Sequence, residues 1–173
     1  MYLVTFIIQK TKEDCMHKII FTLILVVFSS VVKAQISSEE KEIKSVIATF
    51  FKGLHTGDST LIKKTIHTTI KIQSTVTNKE GVQLLKTQTK KELLTAIARK
   101  KPSDVYLEKL GSFTIKIDGN LASVWIPYEF YFNGKFSHCG ANSFQLFHNN
   151  GKWEIIFLVD MRRREDCSAL KEK

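Results

Sequence analysis

The chain has 173 residues, 43% of them hydrophobic and 25% charged, with a formal net charge of +9. That is ordinary globular composition at a length that fits one domain better than two. Two prolines, eight glycines and no low-complexity stretch or repeat exclude a long linker, a disordered tail and a repeat array. The basic surplus favours acidic surfaces or anionic ligands only in a general way. The lysines are scattered over every predicted element, and the tight runs, Arg99-Lys100-Lys101 and Arg162-Arg163-Arg164, are short. Nucleic acid, which calls for basic clusters among stacking aromatics, is therefore not an expected partner.

From Ile19 to Val32 every residue is apolar except Thr22, Ser29 and Ser30. The run falls short of the roughly 20 residues a membrane-spanning helix needs. It matches a signal peptide instead, with Met16-His17-Lys18 as a basic head and Val32-Lys33-Ala34 as a cleavage site before Gln35. The expectation is a leader over residues 1–34, with translation starting at Met16, and a single domain over residues 35–173. The protein would be secreted or periplasmic, with no membrane contact after cleavage; a retained anchor is the alternative. The leader holds four lysines and two acids, so its loss lowers the net charge from +9 to +7.

Ser37 and Glu40 form a capping box, and Ile43, Val46, Ile47, Phe50, Phe51 and Leu54 recur at helical spacing as far as Gly57. Asp58 caps a short second helix with Leu61, Ile62 and Ile66. The period then drops to two: Ile70, Ile72 and Val76 mark a half-buried strand, Asn78 to Gly81 turn, and Val82 to Thr87 pair back. Thr89 and Glu92 form a second capping box ahead of Leu93, Leu94, Ile97 and Ala98, and Pro102 ends this third helix. The remainder reads as an antiparallel meander of four strands over 104–117, 121–132, 136–147 and 152–160. Asp118-Gly119-Asn120, Asn133-Gly134 and Asn149-Asn150-Gly151 separate them. Segregated helices and strands indicate an α+β domain.

Two cysteines follow the leader, Cys139 and Cys167. In an oxidising compartment an even pair points to one disulfide; the plainer alternative is a buried strand thiol and a loose one near the C-terminus. His55, His67 and His148 lack partners at metal-ligand spacing. No phosphate loop, zinc signature or serine-hydrolase elbow is present, so neither metal nor cofactor is expected.

The element order and several local motifs resemble the nuclear transport factor 2-like superfamily, which includes SnoaL-like cyclases, ketosteroid isomerase and scytalone dehydratase. The resemblance covers about residues 38–165. It is most similar to the branch labelled putative lumazine-binding, common in secreted bacterial proteins. The residues that carry it are Phe50-Phe51-Lys52-Gly53-Leu54 with Gly57-Asp58, Gly134 to Gly140, and Gly151-Lys152-Trp153-Glu154-Ile155 running into Asp160-Met161-Arg162-Arg163. The resemblance implies a cone: three helices from the N-terminal half packed on a strongly curved, mostly antiparallel sheet around a cavity. It does not fix an activity, because one fold hosts many functions.

A two-residue turn at Asn133-Gly134 sets Phe132 opposite Lys135. Glu129 then lies opposite His138, Trp125 opposite Asn142 and Tyr131 opposite Phe136, these six on one face. The other face carries Ala122, Val124, Ile126, Tyr128, Phe130 and Phe132. Two readings stand. Glu129 and His138 form a solvent-facing pair worth a few tenths of a kcal/mol; or Trp125, Glu129, Tyr131, His138 and Asn142 line the pocket. Exposing Trp125 and Tyr131 on a wet sheet costs apolar burial, which tips the balance to a pocket or partner surface. Arg162 could anchor an anionic ligand, or pair with Asp160 at the strand end. A three-residue turn at 149–151 sets it opposite His138, whereas two or four residues reverse its face. The leading expectation is an exported binder of an unknown small organic ligand, homodimeric through the outer sheet face. The rivals are an isomerase or dehydratase using Glu129 and His138 for proton transfer, and a protein-interaction module.

Overall fold

The computed structural model describes residues 38–167; the expected leader, its expected cleavage site and the expected Ser37 cap lie outside them. The first helix, α1, spans 38–56 and turns Ile43, Ile47, Phe50 and Phe51 into the core. It stops at Gly57, whose φ of +76° suits a residue without Cβ. Asp58 then caps α2 (Ser59–Thr65), accepting from the backbone N–H groups of Thr60 and Leu61 at 2.9 and 3.2 Å. Ile66, expected at the end of that helix, instead opens β1 (Ile66–Thr77). The chain reverses into β2 (Gln83–Gln88) and enters α3 (Lys90–Ala98) through the Thr89–Glu92 capping box.

The strand expected over 104–117 is two, β3 (Tyr106–Leu110) and β4 (Thr114–Asp118), both paired with β5 (Leu121–Phe132). Pro127 is the cause. In an antiparallel ladder a residue's N–H and C=O face the same neighbour. Its carbonyl accepts from Gly111 N–H at 2.8 Å, but its nitrogen has no hydrogen to return. The ladder opens there and takes up one extra residue: Leu110 faces Tyr128, but Thr114 faces Trp125.

Two long strands complete the sheet, β6 (Lys135–Asn149) and β7 (Lys152–Arg163). The seven strands run in the order β2-β1-β7-β6-β5-β3, with β4 also on β5. Only β1 and β7 are parallel; the other neighbours are antiparallel. Register shifts in β1/β7, β5/β6 and β6/β7 add twist and bend the sheet around the helices. Its concave face and the helices share one apolar core, in which Phe144 meets the rings of Phe50 and Phe51 edge-on at 6.0 and 6.1 Å.

On the convex side Cys139 and Cys167 are bonded, with S–S 2.04 Å and Cα atoms 5.7 Å apart, tying the chain after β7 to the middle of β6. Gly140 follows Cys139 because nothing larger fits: a Cβ there would lie 1.7 Å from the Met161 carbonyl oxygen and 3.0 Å from the Tyr128 ring.

Candidate functional site

The expected site depended on which face each strand presents, and the structure divides it. Asn133 and Gly134 have φ of 50° and 75°, the two left-handed residues of a tight hairpin turn. Phe132 faces Lys135 and Tyr131 faces Phe136, as the turn chemistry predicts. Ser137 is then an extra residue. Beyond it Phe130 pairs with His138, Glu129 with Cys139, Ile126 with Asn142 and Trp125 with Ser143. One inserted residue moves all the later β6 side chains to the opposite face.

Glu129 and His138 therefore do not share a face, which corrects the expected proton-transfer pair. Trp125, Glu129 and Tyr131 project from the convex side; Trp125 is 50% exposed, and the Tyr131 hydroxyl donates to Glu129 Oε2 at 2.8 Å. The Lys109 ammonium sits over the Tyr131 ring, 4.5 Å from its centre. His138 and Asn142 join the apolar concave face with Ile126, Tyr128 and Phe130. The last hairpin repeats the device. Its loop has two residues, Asn150 and Gly151, so Asn149 faces Lys152. That alone would put Arg162 on the wrong side, but a second extra residue, Ile156, restores it: Asn142 pairs with Asp160 and Gly140 with Arg162.

His138, Asn142 and Arg162 thus meet in a cavity of about 200 Å³ between α1, α3 and the concave sheet. Its apolar part is Phe50, Phe51 and Leu54 from α1, Leu93 from α3, and Tyr106 and Phe130 from the sheet. Tyr106 packs edge-on to Phe130 with ring centres 5.8 Å apart, and Phe130 lies 5.0 Å from the His138 ring.

Its polar part includes four residues the sequence reading did not assign to a site: Glu108, Tyr128, Ser74 and Gln88. Asp160 is buried, ion-paired to the Arg162 guanidinium, and accepts a short hydrogen bond from the Ser74 hydroxyl. The Tyr128 hydroxyl lies 3.4 Å from Asp160 Oδ2. Asn142 Nδ2 donates to Glu108 Oε1 at 2.7 Å. Underneath, the Glu108 backbone N–H donates to His55 Nε2 at 2.9 Å, pinning β3 to α1.

Burial sets most of the protonation states here. It pushes the Glu108 carboxyl up to about 7, helped by the Asp160 charge and opposed by the Asn142 donor and Arg162. Burial, with Arg162 and Arg164 nearby, pulls His138 down to about 4 against the pull of Asp160. Burial likewise lowers His55 and, together with Asp160 and Glu108, raises the Tyr128 phenol. Arg162 is the exception. Burial disfavours its charge, but the Asp160 hydrogen bond and charge more than compensate, so it is held more firmly protonated. Near pH 7 the site contains one ion pair, neutral imidazoles and a carboxyl poised between its two forms. Among the described residues no group of three His, Cys, Asp or Glu is placed to hold a metal ion, and no helix is long and apolar enough to cross a membrane.

Glu108 had a legible signal. Tyr106, Glu108 and Leu110 alternate along one face of a strand, and a carboxylate between two inward apolar residues is a candidate for an enclosed site. Read as part of one longer strand over 104–117, it had no special place.

Three helices on a curved, mostly antiparallel seven-stranded sheet define the cone-shaped α+β class. The sequence profile of the family described as "Putative lumazine-binding" matches residues 38–158, and the chain belongs to that family. Solved structures agree on the fold. A nuclear transport factor 2-like protein of unknown function from Shewanella baltica has a TM-score of 0.57 at 18% identity, covering 75% of this chain and 97% of that one. A protein of unknown function from Mycobacterium tuberculosis has a TM-score of 0.60 at 12% identity, covering 78% and 77%. A nuclear transport factor 2-like protein from Cytophaga hutchinsonii has a TM-score of 0.57 at 11% identity, covering 72% and 98%. At these identities the likeness is one of fold. The comparison with curated proteins finds no match.

Proposed function

We propose that this protein is an exported small-molecule-binding domain whose ligand occupies the cavity between α1, α3 and the concave sheet. One observation carries the reading. A hollow of about 200 Å³ joins an aromatic wall to a cluster of buried, convergent polar groups, the usual composition of a ligand pocket. An apolar cavity of about 150 Å³ accommodates benzene, so a compact ligand of one or two rings fits this one. The bicyclic lumazine of the family's description is near that limit. Its ring system would lie against Phe50, Phe51, Tyr106 and Phe130, with its polar edge towards Glu108, Asn142 and His138. The leader pattern of residues 16–34 and the Cys139–Cys167 bond support an oxidising compartment outside the cytoplasm. The exposed Trp125 and Leu107 on the convex face, with Tyr131 beside them, support a second copy docking there.

Binding is preferred over catalysis by Glu129 and His138, because a sheet stands between those two groups. The test is two-dimensional NMR of labelled protein titrated with lumazine and with compact aromatic alcohols. Shifts should concentrate on Phe130, His138 and Asn142. Shifts confined to the surroundings of Trp125 would remove the proposal.

A further inference from the structure

The cavity contains two carboxyls, Glu108 and Asp160, and one fixed cation, Arg162. That cation is already engaged: its Nε pairs with Asp160 Oδ2, and Nη2 reaches Asp160 Oδ1 at 3.3 Å and Ser74 Oγ at 3.4 Å. The other residues that line the cavity supply no positive charge. From α1, His55 uses Nε2 to accept the Glu108 backbone N–H. From β5, the Tyr128 hydroxyl is directed at Asp160 and the Met161 carbonyl. From β6, the Asn142 amide takes Glu108 Oε1, and the His138 ring has Nδ1 3.1 Å from Ser137 Oγ. Glu108 Oε2 has no hydrogen-bond partner among the described residues, although the side chain lines the cavity.

We propose that the cavity selects an organic cation, a compact ring bearing a protonated amine, with Glu108 as its counter-ion. The inference rests on the reading that this cavity is the ligand site, and adds the chemical class the site prefers. Among the described residues an anionic ligand would meet, besides the Glu108 carboxyl, only a guanidinium whose Nε and Nη2 already serve Asp160 and Ser74, so the anion anchor expected of Arg162 is set aside. A ligand ammonium instead supplies the charge the site lacks. It makes a charge-assisted hydrogen bond to Oε2, while the aromatic rings of Phe50, Phe51 and Phe130 line the same cavity and aromatic rings attract cations; the Tyr106 ring already has Lys100 Nζ 5.3 Å from its centre. Binding shifts Glu108 to its ionised form, and its proton leaves to solvent. The poised state of Glu108, raised to about 7 by burial and by the neighbouring Asp160, fits a carboxyl whose counter-ion is supplied from outside. Arg162 does not oppose the ligand strongly, because Asp160 cancels its charge at close range.

The experiment titrates the full chain with four probes by calorimetry and NMR: benzylammonium, benzyl alcohol and benzoate, which share one ring, and lumazine as an uncharged bicycle. Benzylammonium should bind at least about tenfold tighter than benzyl alcohol, with benzoate weakest. Its affinity should rise between pH 5.5 and pH 8, with proton release at the lower pH visible as a dependence on buffer ionisation heat. In Glu108→Gln the ratio of ammonium to alcohol affinity should fall to about one, whereas Glu129→Gln, on the convex face, should keep the wild-type ratio. Benzyl alcohol or benzoate binding as tightly as benzylammonium to the wild-type protein would overturn the cation preference and leave the pocket standing. Failure of all four probes would remove the pocket reading and this inference with it. The wild-type ranking decides the matter even if a variant does not fold.

Discussion

Replacing Glu108 with Gln tests the electrostatics of the cavity without any ligand. The amide keeps an oxygen for Asn142 and carries hydrogens where the protonated carboxyl carries one, so the substitution mimics the neutral form. In the wild type that carboxyl is held at about 7 instead of its ordinary 4.5. Between those values the folded state binds more protons than the unfolded state, so stability falls as pH rises, by at most about 1.4 kcal/mol per pH unit. The contribution is fully present below about pH 4.5 and lost as pH passes through 7. The ceiling is about 3 kcal/mol; water at the cavity mouth and side-chain relaxation reduce the measurable value to about 1–2 kcal/mol. His138 acts with the opposite sign. Its folded-state value near 4 lies below the ordinary 6.5, so its contribution is present above 6.5 and lost as pH falls through 4. It is smaller because the ring is part-exposed and screened. The two partly cancel in the wild type. Urea unfolding followed by tryptophan fluorescence, with the disulfide intact, should show Glu108→Gln more stable than wild type by about 1–2 kcal/mol at pH 8. The difference should shrink towards zero at pH 4.5. A difference constant across that range, or a variant less stable at pH 8, would refute the account of a buried carboxyl without a counter-ion.

Three further outcomes are expected. Gly140→Ala drives a methyl into the Met161 carbonyl and should lower stability by about 2–3 kcal/mol; an unchanged urea midpoint would contradict the close approach of β6 and β7. The Cys139–Cys167 bond closes a loop with a sequence separation of 28. Replacing both cysteines with Ser should cost about 3 kcal/mol, and unfolded, unreduced wild type should label no thiol at either position. Glu129→Gln removes only a surface charge and leaves an amide oxygen to accept from the Tyr131 hydroxyl. Stability should change by less than about 0.5 kcal/mol, with probe titrations superimposable on wild type; a large loss of binding would return Glu129 to the site.

Most element identities and turn positions were legible because they depend on sequence neighbours; the length of the last loop, left open between two, three and four residues, was not. The helical spacing from Ile43 to Leu54, the Asp58 cap, the Thr89–Glu92 capping box and the Asn-Gly turns all form where local chemistry places them. The family resemblance added the curved sheet and the cavity. His138 and Asn142 were placed towards a pocket from the Asn133-Gly134 turn, and Arg162 only if the last loop held three residues; all three line the cavity, by way of bulges that reading did not contain. Trp125, Glu129 and Tyr131 do not, because a strand pattern read outward from a turn assumes an unbroken ladder.

The sequence by itself determined the order of helices and strands and where the chain reverses. Only the tertiary structure decided which face of β5 meets which face of β6. Extra residues at Ser137 and Ile156, and the break opposite Pro127, adjust each strand to a bent sheet closing over the helices. A bulge forms where distant strands must fit together, and one inserted residue reverses every side chain beyond it. That is why Glu108, far from His138 in the chain, shares its cavity, while Glu129, two residues from Tyr131, remains outside with it.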